Sequence, residues 1–274
     1  MKAIISHDID HISVKEHRKD LIVPKFLTRT LLEKLSGAIT GREFNRRLYE
    51  TFITGKWQNI EELMQFDLSH NIPSTFFIGV KNGLGLSYSL QQASYWVDQI
   101  KRKGFSLGLH GISFDEIVQI SYEYDVFRSI SGLDQFGVRT HYLRLSNHTL
   151  EFFNEIGFEF DTSDYSIKSP YRIGTMVEFP LIIMDSRIFN PNHKLFPLPL
   201  GKAKDETRKI IDKTEQLNIP YLTILHHDMY YSDSFIDIKN WYEWLIEFLI
   251  QNNIQLIDYS NAVNEFSHKR SEYE

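Results

Sequence analysis

The sequence has 274 residues, of which 42% are hydrophobic and 24% charged, a composition typical of a globular domain and unlike that of a disordered chain. Cysteine is absent, which excludes disulfides, thiolate nucleophiles and cysteine zinc sites, so any metal must be held by histidine and carboxylate. The net charge of −6 argues against nucleic acid as a partner. No stretch reaches the ~20 apolar residues of a membrane span, and no signal peptide precedes the first strand-like run, so we expect a cytoplasmic protein.

Eight runs with strand character alternate with helical stretches. The predicted strands are 3–8, 74–80, 105–110, 137–142, 158–162, 177–184, 221–227 and 254–259. The predicted helices are 25–35, 42–51, 59–69, 90–103, 149–156, 204–217 and 238–251. Strands that alternate with helices are parallel, and this number of units favours a distorted, TIM-like (β/α) barrel of seven or eight strands. We therefore predict a single domain over 1–274, with the proline-rich segment 170–199 crossing one barrel face as loops.

The segment 12–56 is basic, with ten Lys or Arg against five Asp or Glu. It lies between the first predicted strand and the helix that precedes the second predicted strand. A barrel needs only a short loop and one helix there. A solvated helical face and a docking surface for an acidic partner both account for its charge. We predict a helical insertion that covers the site, with Arg46 and Arg47 binding an anionic part of the substrate or the surface of an anionic membrane.

Polar side chains accumulate where the strands end, which is where barrels of this kind place catalytic groups. Because side chains alternate along a strand, Asp8 and Asp10 share one face, and His7 lies on the opposite face. Two carboxylates this close either raise the pKa of one of them or bind a cation, and a pair of solvated loop aspartates is the alternative. His7 is predicted to be a buried, hydrogen-bonded histidine behind the strand.

Two further strand ends add basic groups. The third strand ends at His110, the nitrogen ligand that a Zn²⁺-like ion would take beside an aspartate pair. The fourth strand carries Arg139, flanked by Thr140 and His141. A basic residue beside an acidic pair can keep one aspartate ionised as a general base, and a surface ion pair is the alternative.

A late apolar strand ends in two adjacent histidines, His226 and His227. They must face opposite ways, so only one can enter the site. Thr223 and Leu225 share a face with His227. We predict that His227 enters the site, where an imidazole can protonate a leaving group.

The order of these strand ends resembles the motif series of the polysaccharide deacetylase superfamily, also known as the NodB-homology or carbohydrate esterase family 4 proteins. The resemblance covers nearly the whole chain. It implies that Asp8 is the general base and that Asp10 is a metal ligand. It also implies that His110 is a metal ligand and that Arg139 steadies the base. His227 is the implied general acid, and Asp161 is the implied buttress of that acid.

The wording of the motifs is similar to a branch associated with bacterial O-antigen and surface-polysaccharide gene clusters. The phrases that carry this similarity are HDID, GLHG, GVRTHYLR, FEFDTS, YRIGT and PLIIMD. Two residues within them, Tyr142 and Arg172, are expected to bind substrate.

One departure from the family pattern concerns the metal. The second motif normally places another histidine four residues after the first, where this chain has Phe114. The candidates for the third metal ligand are Asp115, His11, His226 and a water. The other two alternatives are weak metal binding and loss of catalysis.

The resemblance implies a divalent metal, expected to be zinc, and removal of an N-acetyl group from a sugar. The expected substrate is a cytoplasmic precursor, nucleotide-linked or polyprenyl-linked. A catalytically inactive carbohydrate-binding relative is one alternative, because aromatic residues make up 14% of the chain. A barrel glycosidase is disfavoured, because carboxylates two residues apart on one strand cannot straddle a sugar ring.

Overall fold

The computed structural model describes residues 1–191 and 196–271. Ten strands form one sheet, and they are β1 (Lys2–Ile9), β2 (Thr75–Ile78), β3 (Ser106–Gly111), β4 (Val138–Thr140), β5 (Phe160–Asp161), β6 (Tyr171–Ile173), β7 (Met176–Glu178), β8 (Ile183–Met184), β9 (Tyr221–Leu225) and β10 (Gln255–Ile257).

The sheet curls into a half-barrel. Its strand order is β6-β7-β5-β4-β3-β2-β1-β9-β8, and β10 pairs with the start of β1. All pairings are parallel except that of β6 with β7. Eight parallel strands thus run from β7 to β8, and in the described ranges the sheet ends at β6 and β8 without closing. The predicted α/β class and distorted, TIM-like parallel barrel are confirmed.

Ten α-helices accompany these strands in the described part of the chain. They are α1 (Ile22–Leu35), α2 (Gly41–Tyr49), α3 (Ile60–Ser69), α4 (Leu90–Arg102), α5 (Ile117–Ser131), α6 (Thr149–Ile156), α7 (Asp185–Phe189), α8 (Leu200–Gln216), α9 (Ile236–Gln251) and α10 (Tyr259–Ser271). None of them is both long enough and apolar enough to cross a membrane.

The two faces of β1 show how the sheet directs its side chains. Ile5 and Ile9 point outward into the large core beneath the helices. Ile4 points inward, into a smaller core inside the curl of the sheet. Since alternation places Asp8 on the inward face with Ile4, the polar end of β1 opens into the mouth of the half-barrel.

The inner layer is tightly packed below that mouth. Phe77 on β2 lies beside Gly108 on β3, where an added Cβ would come within 2.4 Å of the Phe77 ring. The Arg139 guanidinium lies over the same ring, 4.3 Å from its centroid. Gly108 therefore makes room for the aromatic surface on which a buried arginine rests.

The segment predicted as loops, 170–199, contains strands β6, β7 and β8 and helix α7 among its described residues. The single strand predicted over 177–184 is in fact two strands, β7 and β8. Pro180 lies between them, and proline has no backbone N–H to donate to a sheet. Helix α5 was also not predicted, because its mixture of β-branched and aromatic residues has weak helix propensity.

The basic segment is closed at its base. Ser13 pairs with Lys56 in an isolated antiparallel bridge, and Val14 N donates to Gly55 O at 3.0 Å. Between these ends lie a 3₁₀ turn (Val14–His17), helices α1 and α2, and a π-helical turn (Glu50–Thr54). The two predicted helices of the segment are thus present.

Candidate active site

A cavity of about 470 Å³ opens where the carboxyl ends of β1, β3, β4 and β9 meet. Its wall includes residues that follow or end these strands, namely Asp8, Asp10, His110, His141 and His227. The parallel sheet therefore brings together the strand ends that the sequence singled out.

Asp10, His110 and His141 form the Asp10 cluster. Each offers one ligand atom, and the three atoms lie within 4.8 Å of one another. His110 Nε2 is 3.1 Å from Asp10 Oδ1 and 3.0 Å from His141 Nδ1. Burial raises the pKa of Asp10, but hydrogen bonds from His110 and His141 outweigh that effect and hold it well below its ordinary value. One carboxylate and two imidazoles are a donor set that suits Zn²⁺.

The outer nitrogen of each imidazole is tied to a backbone carbonyl. His110 Nδ1 donates to Arg139 O at 3.1 Å, and His141 Nε2 donates to Leu84 O at 3.2 Å. These bonds direct His110 Nε2 and His141 Nδ1 at Asp10, and any proton on either nitrogen would be released when a metal binds. Histidine ligands of metals are oriented in the same way, so the cluster fits a divalent ion.

Asp8 lies deeper and is paired with Arg139. Arg139 Nη1 donates to Asp8 Oδ1 at 2.7 Å, and both side chains are buried. The guanidinium is held in place by Ser6 Oγ at 2.8 Å and by Tyr259 Oη at 3.1 Å. The Asp8 carboxylate is therefore fixed in position beside a buried positive charge.

His227 faces the Asp10 cluster from β9. Its Nε2 is 3.8 Å from Asp10 Oδ2, and its Nδ1 donates to Asp185 Oδ1 at 2.8 Å. Burial lowers the pKa of His227, but the Asp185 carboxylate, assisted by Asp10 and Asp8, reverses that effect and raises it to about 10. The imidazole is therefore protonated at neutral pH.

The neighbouring histidines lie behind the strands. The His226 side chain is 0% exposed and stacks on Tyr242, with ring centroids 4.4 Å apart. His7 is also fully buried, with Nδ1 2.8 Å from His226 O and Nε2 2.9 Å from Asp67 Oδ2. The structure thus places His227 in the cavity and His226 outside it, and His7 has the buried environment that was predicted.

Sequence reasoning missed two residues of the site. His141 fills the third position of the Asp10 cluster, for which Asp115, His11, His226 and water had been considered. The signal was present, since His141 follows Arg139 by two residues, as Asp10 follows Asp8. Asp185 follows β8 directly, at the last letter of the quoted phrase PLIIMD.

Asp161 does not lie behind His227, contrary to the expectation. It ends β5, which pairs with β4 and β7, whereas the strand beside β9 is β8. Asp161 instead accepts hydrogen bonds from Ser163 N and Oγ, at 3.0 and 2.7 Å. The carboxylate that buttresses the candidate acid is therefore Asp185.

Arg46 and Arg47 do not present their guanidiniums together. Arg46 Nε donates to Glu50 Oε1 at 2.8 Å on the surface. Arg47 is buried, and it donates to Glu33 Oε2 at 2.6 Å and to Ser234 O at 2.8 Å. Neither residue is part of the cavity wall. The basic segment instead reaches that wall through Arg29 on α1, which also donates to Asn190 Oδ1 at 3.2 Å.

Of the other two residues expected to bind substrate, Tyr142 lies in the cavity wall and Arg172 does not. Tyr142 lies on the cavity wall, is 63% exposed, and has a left-handed backbone with φ of 62°. Arg172 lies on the edge strand β6, outside that wall, where it donates to Ser267 Oγ at 3.0 Å. Phe114 is also outside the wall, and its ring lies under Arg144.

No family model and no curated protein sequence matches the chain. Solved structures do match it. A polysaccharide deacetylase from Mycobacterium smegmatis has a TM-score of 0.66 and 16% identity, over 98% of this chain and 91% of that one. An allantoinase has a TM-score of 0.60 and 10% identity, over 96% and 88%. A mutant of a carbohydrate esterase family 4 pseudoenzyme, with restored enzymatic activity, has a TM-score of 0.51 and 7% identity, over 96% and 67%.

These identities are low, so the similarity concerns the fold. It agrees with the motif order and with the half-barrel described above. The chain has the fold of the polysaccharide deacetylases of carbohydrate esterase family 4.

Proposed function

We propose that this protein is a metal-dependent carbohydrate deacetylase that removes an N-acetyl group from a sugar. One observation carries the proposal. An Asp-His-His donor set lies in one cavity between an arginine-paired carboxylate, Asp8, and an imidazole that is paired with Asp185, His227. Amide hydrolysis needs a base on one side of the carbonyl and an acid on the other.

Asp10, His110 and His141 would hold a divalent ion, with zinc the best match to their chemistry. When bound, such an ion supplies Lewis acidity, which polarises a carbonyl oxygen and lowers the pKa of water. The missing second-motif histidine at Phe114 is then no obstacle, because His141 takes its place as a ligand.

Asp8 and His227 have complementary proton-transfer roles in this proposal. Asp8, held in place by Arg139, accepts a proton from the attacking water. His227, kept protonated by Asp185, donates a proton to the departing sugar amine. Acetate and the free amine are the products.

The site also bears on the two rival functions. In a glycosidase, two carboxylates flank the sugar, but Asp8 is occupied by Arg139 and Asp10 by two histidines. In an inactive binding relative, nothing would require a buttressed acid, so the Asp185–His227 pair favours an enzyme.

We also propose an anionic carrier on the substrate, either a nucleotide or a polyprenyl phosphate. Two guanidiniums in the cavity wall, those of Arg29 and Arg187, suit phosphate oxygens. This replaces the role first expected of Arg46 and Arg47. A place in O-antigen or other surface-polysaccharide synthesis within the cytoplasm is consistent with such a substrate.

The basic segment has a surface suited to the polyprenyl-linked case. Large apolar side chains are exposed on α1 and on the π-helical turn, where Leu35, Phe52 and Ile53 are 75%, 65% and 70% exposed. The surrounding segment carries a net charge of +5. Exposed apolar residues on a basic surface bind anionic membranes, so we propose peripheral contact through this segment.

The proposal is tested by acetate release from N-acetylhexosamines in free, nucleotide-linked and polyprenyl-linked forms. Activity should disappear when metal is chelated and return when Zn²⁺ is added. Asp8→Asn should keep the metal and lose activity, and His227→Gln should reduce turnover by roughly 10²- to 10⁴-fold. His148→Gln, at an exposed histidine away from the cavity, is the matched control. Release of reducing sugar would indicate a glycosidase, and sugar binding without acetate release would indicate an inactive relative.

A further inference from the structure

A second group of potential ligands lies in the turn that follows β1. His11, Glu16 and His17 form the His11 cluster, in which each residue offers one ligand atom and the three atoms lie within 4.8 Å of one another. The side chains of Glu16 and His17 are 4% and 0% exposed. The cluster shares no residue with the Asp10 cluster, although His11 directly follows Asp10.

Three buried atoms of the His11 cluster have no hydrogen-bond partner in the described part of the chain. They are His11 Nδ1, Glu16 Oε2 and His17 Nε2. A buried polar atom without a partner destabilises the fold, so three of them in one place point to a common partner. A cation at their centre would satisfy all three at once.

His17 is oriented as a metal ligand would be. Its Nδ1 is 2.8 Å from Asp20 Oδ2, and its Nε2 faces the cluster, 3.4 Å from Glu16 Oε1. Asp20 is itself held, because its Oδ1 accepts from Ile22 N at 2.9 Å. A carboxylate that supports the outer nitrogen of a histidine is the usual arrangement behind a bound metal.

Glu16 is fixed in a similar way. Its Oε1 accepts from Ile12 N at 2.8 Å, which leaves Oε2 for another partner. The rings of His11 and His17 meet edge to face with centroids 4.7 Å apart, and the Trp57 ring lies against both, at 5.7 and 5.4 Å. The donors are thus preorganised by packing as well as by hydrogen bonds.

We infer that His11, Glu16 and His17 form a second divalent-cation site, distinct from the Asp10 cluster. Two imidazoles and one carboxylate suit Zn²⁺, with water as a fourth ligand. The three ligands lie within seven consecutive residues, between β1 and α1. A metal there would fix the turn after Asp10 and the start of the segment that brings Arg29 to the cavity. The inference does not depend on the proposed deacetylase activity.

The test counts metal per chain after dialysis against trace Zn²⁺. The parent should bind two equivalents, and His110→Gln/His141→Gln should retain one. Adding Glu16→Gln/His17→Gln to that variant should remove the remaining equivalent, whereas adding His148→Gln should not. Glu16→Gln alone, which keeps the shape of the side chain, should weaken binding, and circular dichroism should verify the fold of every variant.

A second measurement locates the metal. Co²⁺ added to His110→Gln/His141→Gln should quench tryptophan emission, and Trp57→Phe should abolish most of that quenching. Less than one equivalent in His110→Gln/His141→Gln, or no loss on changing Glu16 and His17, would overturn the inference and leave a bridging water as the occupant. A parent that binds one equivalent, lost only through Glu16 and His17, would support the inference while contradicting a metal at Asp10.

Discussion

His227 makes two hydrogen bonds to the carboxylate of Asp185. The backbone N–H donates to Oδ2 at 2.6 Å, and Nδ1 donates to Oδ1 at 2.8 Å. This pair joins β9 to the residue that follows β8, and it fixes both the tautomer and the orientation of the imidazole. Asp185 itself is fully buried, and its charge is the main reason why the pKa of His227 is raised.

We expect Asp185→Asn to shift the alkaline limb of the pH profile of kcat/KM to lower pH. Burial alone lowers the pKa of His227, and the Asp185 carboxylate is the largest influence that raises it to about 10. Without that carboxylate the imidazole loses its proton at lower pH, so the acid fails earlier as pH rises. Asp161→Asn is the matched control, since it removes another fully buried carboxylate. An alkaline limb that moves with Asp161 instead would contradict this assignment.

The two adjacent arginines of α2 should differ in stability and not in substrate choice. Arg47→Met should lower the free energy of unfolding by about 3 kcal/mol, because it breaks a buried ion pair with Glu33. This value is at the low end for such a pair, since Arg29 still contacts Glu33. Arg46→Met should change it by less than about 1 kcal/mol, since its ion pair is exposed. Urea unfolding at pH 7 measures both. A loss for Arg47→Met as small as that for Arg46→Met would show that the buried Arg47–Glu33 pair does not support the fold.

The buried Asp161 and Glu178 give a pH-dependent stability. Burial and the adjacent Asp161 charge raise the pKa of Glu178 well above its ordinary value of 4.5. The folded protein therefore holds a proton that the unfolded chain releases near pH 4.5, so this stabilisation is complete below that pH and is lost as pH rises toward the folded pKa. Glu178→Gln does not titrate, and its stability relative to the parent should increase between pH 5 and pH 8. Urea unfolding at pH 5 and pH 8 measures the effect. If the free energy of unfolding changes by the same amount in the parent and in Glu178→Gln, Glu178 does not carry the proton.

Phe52→Ser/Ile53→Ser should weaken binding to anionic vesicles without changing activity on a soluble sugar. The two side chains are 65% and 70% exposed, so their loss removes apolar contact with lipid and no packing in the fold. Leu217→Ser, at a 53% exposed leucine after α8, is the control for apolar exposure elsewhere. Sedimentation with phosphatidylglycerol and phosphatidylcholine vesicles measures the effect. Equal binding of parent and variant would remove this surface from the proposal.

Side-chain alternation made much of the site predictable. It placed Asp8 and Asp10 on one face of β1 and His7 on the other, and the same rule required that only one of His226 and His227 enters the cavity. On the predicted strand 137–142 the same rule places His141 on the face of Arg139. The observed strand ends at Thr140 and the backbone at Tyr142 is left-handed, yet His141 still faces Asp10.

The roles predicted for Asp161 and Arg47 were wrong because they depend on contacts between residues that are far apart in the sequence. Whether Asp161 or Asp185 lies behind His227 depends on which strand pairs with β9, and that pairing joins residues about forty positions apart. The burial of Arg47 depends on Glu33 and on Ser234, the latter 187 positions away. A helical pattern alone does not separate a buried arginine from an exposed one.

Asp10, His110 and His141 are proposed to hold a divalent ion between Asp8 and His227. Anomalous diffraction at the zinc edge, from crystals grown with Zn²⁺, tests it most directly. We expect a peak about 2.0 to 2.2 Å from Asp10 Oδ, His110 Nε2 and His141 Nδ1, with Asp8 still paired to Arg139. The absence of a peak at these three residues in Zn²⁺-loaded crystals would contradict the claim.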